Sequence, residues 1–270
     1  MRTLFRTVLV LTIFLALFNR RSYSLAKSCM TMSSDYKIVA SKLKEITQLE
    51  AIGGLLGWDE MTMLPEGSSA SRGAQKEALA GVIHEKKTSE ELGALLKSLY
   101  DAGDSAELSD VAKANVRDSW MSYSRNLALP KEFVKEIAAL ETQGYGSWLK
   151  ARTENNFSIF QPDLQKWIDI SIQRAKYLDP NQEKPIYDTL LYDYEKGMSS
   201  ERLDEIFEEV KAGLVPLINE IKTKGTSPDA KWMEGEYDTN VQAQMCKDIA
   251  VDLGFDLNKG RLDVSVHPFT

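Results

Sequence analysis

The sequence predicts an all-α protein, on three observations. Apolar residues recur every three to four positions in one segment after another from residue 35 to residue 254. Several of these segments open on residues that cap helices. Only one stretch, Leu262-Asp263-Val264-Ser265-Val266, alternates apolar and polar residues as a strand does, and it lies at the C-terminal end.

From Tyr36 a helical stripe runs through Val39, Leu43, Ile46, Leu49 and Ile52. Thr88-Ser89-Glu90-Glu91 reads as a capping box, with the Thr88 hydroxyl satisfying a free N–H at a helix start. The helix after it buries Leu92, Leu95, Leu96 and Leu99. Pro130 sits where a first helical turn accepts proline, and Phe133, Ile137, Leu140 and Trp148 continue one face beyond it. A further helix carries Leu164, Trp167, Ile168, Ile172 and Ala175.

The longest regular pattern follows Ser199 and Ser200: Leu203, Ile206, Phe207, Val210, Leu214, Leu217, Ile218 and Ile221 keep the helical period, with a kink expected at Pro216. Asp238 caps a last helix through Val241, Met245, Ile249 and Leu253, stopped at Gly254. No repeat, low-complexity tract or long linker divides the chain, so one mostly helical domain is the expectation.

Hydrophobic residues make up 43% of the 270, enough to build a core. Residues 1–34 differ: they hold Arg2, Arg6, Arg20, Arg21 and Lys27 and no acid, so the remainder is more acidic than the net −7 of the whole chain. An acidic body repels phosphate backbones and anionic membranes, which excludes nucleic acid as an expected partner. Within the leader, the apolar run Val8–Phe18 is too short to span a bilayer, so no stable membrane span is expected. Two readings of it stay open. One is a targeting leader, a secretory signal or an organellar transit peptide, with the small-residue pair Ser22 and Ser24 or the pair Ser24 and Ala26 as its cleavage site. The other is an upstream extension of a cytoplasmic protein that starts at Met30 or Met32. Cys29 lies near the end of this segment. Cys246 then has no partner for an intrachain disulfide.

Candidate chemistry is sparse. His84-Glu85-Lys86-Lys87-Thr88 starts like the zinc motif H-E-x-x-H, in which imidazoles four residues apart share a helix face and grip one metal. Thr88 occupies the second ligand's place, so His84 reads as a helix-end histidine. No G-x-S-x-G and no Gly-rich phosphate loop is present. Acidic pairs such as Asp59-Glu60 and Glu208-Glu209 read as solvated charge. Asn156-Phe157-Ser158 is a glycosylation sequon, relevant to a secreted chain.

Three longer segments add a resemblance. Leu55 through Gly67, with Trp58, Asp59, Thr62 and Pro65, resembles the Trp-Asp-x-x-Thr-x-x-Pro segment of the carboxypeptidase Taq family of metallocarboxypeptidases. Ile186 through Met198, with Tyr187, Asp188, Tyr194 and Glu195, resembles that family's Tyr-Asp-x-Leu-Leu-x-x-Tyr-Glu-x-Gly-Met segment. Phe255 through Phe269 resembles the segment that ends in His-Pro-Phe, here His267, Pro268 and Phe269.

The resemblance implies that residues 35–270 are the helical N-terminal portion of a metallocarboxypeptidase domain. In the family, His-Pro-Phe lies near the catalytic cleft and is followed by Asp-x-Arg-x-Thr, then H-E-x-x-H, then a metal-binding Glu, none of which occurs in these 270 residues. It further implies a homodimer with zinc or cobalt that removes single residues from peptide C-termini. For this chain alone no metal and no catalytic residue are expected, with His267, Pro268 and Phe269 as candidates to line the substrate cleft. The other motif positions have no assigned role. The alternative is a non-catalytic helical interaction domain or dimer partner. Apolar helix faces that meet a second half in the family are expected to stand open as a patch larger than a few hundred Å².

Overall fold

The structure, a computed structural model, describes residues 34–103 and 107–267. The leader (apart from Ser34), Pro268 and Phe269 lie outside the described residues. Nine helices occur among them: α1 Ser34–Thr62, α2 Ser69–Lys87, α3 Glu90–Ala102, α4 Asp110–Leu127, α5 Lys131–Thr153, α6 Gln161–Leu178, α7 Ile186–Leu191, α8 Ser200–Lys224 and α9 Thr239–Asp252. The chain divides into two compact units, residues 1–181 with 265–270, and residues 182–264.

In the first unit, α1, α3 and α4 enclose one apolar cluster. The predicted stripe of α3 supplies its centre: Leu92 and Leu96 are fully buried and Leu99 nearly so, with Leu95 packed at the edge. Tyr36, Val39 and Ile46 enter from α1, and Ala112, Val116 and Tyr123 from α4. The Tyr36 hydroxyl accepts a hydrogen bond from Asn115 Nδ2 at 3.0 Å, so this partly buried tip is satisfied. At the α3–α4 crossing, Gly93 faces Tyr123 so closely that a Cβ there would penetrate the phenol ring.

A second cluster joins α5 and α6 through Phe133, Leu140 and Ile170, with Phe133 meeting Tyr177 edge-on at 4.9 Å. Between the two clusters α2 lies along α5. Its Ala-rich sequence favours helix, and its small residues admit a close neighbour: Gly73 faces Thr142 and Gly81 faces the aliphatic stems of Lys131 and Lys135.

The caps sit within one residue of where the sequence places them. Ser89, not Thr88, caps α3, accepting from Leu92 N at 3.4 Å; Thr88 instead ends α2 and donates to His84 O at 2.7 Å. Ser109 caps α4 in the same way as Ser89 caps α3. Pro130 precedes α5 as its cap residue.

In the second unit, Ser199 caps α8 and Asp238 caps α9. Helix α8 runs through Pro216 to Lys224 and buries none of its residues. Phe207, Val210, Leu214, Leu217 and Ile221 of its predicted apolar face are each roughly half or more exposed. Val241 and Met245 of α9 and Leu253 just after it are exposed as well. The strand expected at Leu262–Val266 does not form. Residues 262–265 are irregular and the chain bends at Val266, with no ladder of backbone hydrogen bonds to a second segment among the described residues.

Candidate functional site

The end of α1 is the first component. Thr62 Oγ donates to Trp58 O at 2.6 Å, and the Met63 and Leu64 amides both donate to Asp59 O, so the helix closes tightly here. Asp59 Oδ2 pairs with Arg72 Nη2 of α2 at 2.6 Å, and Arg72 Nη1 also donates to Leu56 O at 2.7 Å. Pro65 O accepts from Ser68 N at 2.9 Å, leading into α2. The Trp58, Asp59, Thr62 and Pro65 positions thus build a corner that latches α1 to α2, with Arg72 as its unforeseen partner.

One carbonyl of this corner has a longer-range use. Met61 O, in the last turn of α1, belongs to the carbonyls that a helix end leaves without an intrahelical donor. Ser265 Oγ donates to it at 3.0 Å across 204 residues of sequence.

The second component is one face of α5. Tyr145 stacks on Trp148 at 5.9 Å, and the Arg152 guanidinium lies over the Trp148 ring at 5.4 Å. Arg152 Nη1 donates to Val266 O at 2.8 Å. The His267 imidazole meets the Trp148 ring at 5.6 Å between centroids and 81° between planes. His267 is otherwise exposed. The first and third motif segments therefore come together at Met61 and Ser265, on a platform made by Trp148 and Arg152. The sequence pattern puts Trp148 on a packing face and assigns Arg152 no role. Their i, i+4 spacing on a helix was the signal available.

The middle segment belongs to the second unit. Asp188 Oδ1 accepts from Ser200 N at 2.9 Å and joins Ser199 in capping α8. Gly197 supplies a left-handed turn at φ +83° between α7 and α8. Tyr187 and Tyr194 are exposed at 61% and 86%, and Glu195 is exposed, so the structure gives these three no packing role.

His84 is buried, and its ring is hydrogen-bonded to the Leu129 backbone. Burial holds its pKa below the ordinary 6.5, and the nearby Lys87 and Lys131 charges act in the same direction; the Leu129 bond and Glu85 oppose them. The folded state therefore resists a proton that the unfolded chain accepts. Stability is full above pH 6.5 and declines as pH falls below it toward the lower folded value. Urea unfolding is expected to show this loss between pH 7.5 and pH 5, and to show less of it in His84→Gln. An equal loss in both proteins would remove His84 as its source.

Among the described residues no three His, Cys, Asp or Glu side chains converge so as to hold a metal ion. These residues do not by themselves fit a zinc or cobalt centre. No described helix is long and apolar enough to cross a membrane.

A family model for carboxypeptidase Taq (M32) metallopeptidases matches residues 38–270. Thermostable carboxypeptidase 1 of Thermus thermophilus is 29% identical over 247 residues, covering 89% of this chain and 48% of that protein. Carboxypeptidase 1 of Bacillus subtilis is 30% identical over 227 residues, covering 84% and 44%. The crystal structure of BsuCP superposes with a TM-score of 0.80 at 28% identity, over 88% of this chain and 47% of that one. Trypanosoma cruzi metallocarboxypeptidase 1 gives 0.69 at 29% identity. The chain spans about half the length of the curated relatives it matches.

Proposed function

The chain belongs to the carboxypeptidase Taq (M32) metallopeptidase family, and from that premise we propose that it forms the helical front wall of a metal-dependent carboxypeptidase that removes single residues from peptide C-termini. The observation that carries the reading is the match over residues 38–270 together with the superposition at TM-score 0.80. On this reading the metal, zinc or cobalt, is held in the half of the family fold that these residues do not span. His267, Pro268 and Phe269 line the substrate cleft, and the working enzyme is a homodimer. The open apolar residues of α8 and α9 support this reading, since a layer that meets further helices leaves such a face uncovered when seen alone.

The same open face supports a second reading, a non-catalytic domain that pairs with a full-length enzyme. One experiment separates them. The native protein, captured with an antibody to residues 34–181, is assayed on peptides with free and with amidated C-termini, with and without a strong chelator. Stepwise release from free C-termini only, abolished by the chelator, is expected. Equal cleavage of amidated peptides, or release that the chelator does not touch, would overturn the peptidase reading. Native protein with no release at all would favour the non-catalytic domain. Intact mass and N-terminal sequencing of the same sample are expected to find residues 1–34 removed, on a secretory or organellar route. An intact Met1 would rule out that cleavage.

A further inference from the structure

Three consecutive residues, Ser265, Val266 and His267, are each tied to a different group. Ser265 is tied by its side chain to the open Met61 carbonyl, Val266 by its carbonyl to Arg152, and His267 by its ring to Trp148. Arg152 and Trp148 are one turn apart on α5, and the guanidinium itself lies over the indole ring, 5.4 Å from its centroid. A planar cation held this way loses little further freedom when it donates a hydrogen bond. Tyr145, stacked on the other partner, restrains the indole in turn.

These contacts do not serve core formation. Both Arg152 and His267 are exposed, and Val266 is 51% exposed. Burial of apolar surface therefore does not account for three anchors on three residues. They fix a short segment that bends at Val266 and His267, and with it the direction of one imidazole that has the indole on one side and solvent on another. Pro268, next in sequence, adds to this by restricting His267 to extended backbone conformations.

We propose that Trp148 and Arg152, with the Met61 carbonyl, form a clamp that orients the His267 imidazole, and that they are positioning residues for the reaction of this family. The proposal rests on the peptidase reading for its functional meaning, because that reading puts His267 at the substrate cleft. Its structural content is testable without it.

The chain contains two histidines, so two sets of imidazole proton signals are expected, assignable with His267→Gln. With its ring against Trp148, His267 should show Hε1 and Hδ2 shifts displaced from those of free histidine by the indole ring current. Arg152→Met is expected to remove at least about half of that displacement, Arg152→Lys to restore most of it, and Trp148→Phe to keep part of it. His84 signals and the far-UV spectrum should stay unchanged in all three. Arg152 is exposed, so the Met and Lys variants should leave the fold intact and are sufficient to decide the matter. His267 signals that do not move in Arg152→Met, or that Arg152→Lys fails to restore, would overturn the clamp. If the signals move as expected and the native protein trims no C-termini, the clamp stands and the peptidase reading falls.

Discussion

Purified by itself, the 270-residue chain is expected to bind no stoichiometric zinc and to release no amino acids from peptide C-termini. Only two histidines are available as imidazole ligands. His84 is buried at the end of α2 and hydrogen-bonded to the Leu129 backbone, and His267 lies against Trp148 on α5. Neither has a second histidine at the spacing that a zinc site on one helix requires. Peptidases accelerate hydrolysis by about a million-fold or more, so the loss of the centre reads as absence of activity and not as a weakened rate. Metal content by mass spectrometry and a peptide-release assay on one preparation check the claim. One zinc per chain accompanied by carboxypeptidase turnover would overturn it.

Gly93→Ala is expected to destabilise the first unit by about 1–3 kcal/mol, although alanine is the better helix former by about 1 kcal/mol. The added methyl group would overlap the hydroxyl and ring of Tyr123. Tyr123 cannot swing freely, since its ring is stacked on Trp120 at 5.7 Å and 16°. The backbones of α3 and α4 must separate instead, and the neighbours of Leu92 and Leu96 lose contact as they do. Urea unfolding followed by circular dichroism measures the change. In a double-mutant cycle with Tyr123→Phe, part of the loss should be recovered. A Gly93→Ala protein as stable as the parent would show that the α3–α4 crossing relaxes without cost.

The helices were legible because their cause is local. The stripe of α3 and the Asp238 cap of α9 can each be read within one window of sequence. Errors arose where two local solutions differ by one residue. Thr88 and Ser89 both suit a cap, and the structure uses the second while the first closes α2. On α6 the sequence pattern favours Ile168, which is 48% exposed, over Ile170, which is buried. The alternation at Leu262–Val266 suggests a strand that does not form among the described residues, because a strand needs a partner that no local pattern supplies. At the site, the motif points to His267. Local pattern does not reveal what holds it: Trp148 meets its ring, and Arg152 and Met61 are brought to the neighbouring Val266 and Ser265 by the packing of whole helices, across 114 and 204 residues in the two hydrogen bonds.

The return of Ser265–His267 to the first unit has a consequence for how the protein is made. Helices α1 to α6 are complete by Leu178 and can pack as they leave the ribosome, whereas the segment that carries His267 emerges only after the roughly 80 residues of the second unit. If that stretch were still a flexible coil, bringing its two ends together would cost on the order of 4–5 kcal/mol. Two hydrogen bonds, each contributing about 1 kcal/mol net, and one aromatic contact of about the same size do not cover that sum. Folding of the second unit spends much of that stretch's conformational freedom before the closure is made. The anchoring of Ser265–His267 is therefore expected to come last, after helices α1 to α6 and the intervening unit have formed.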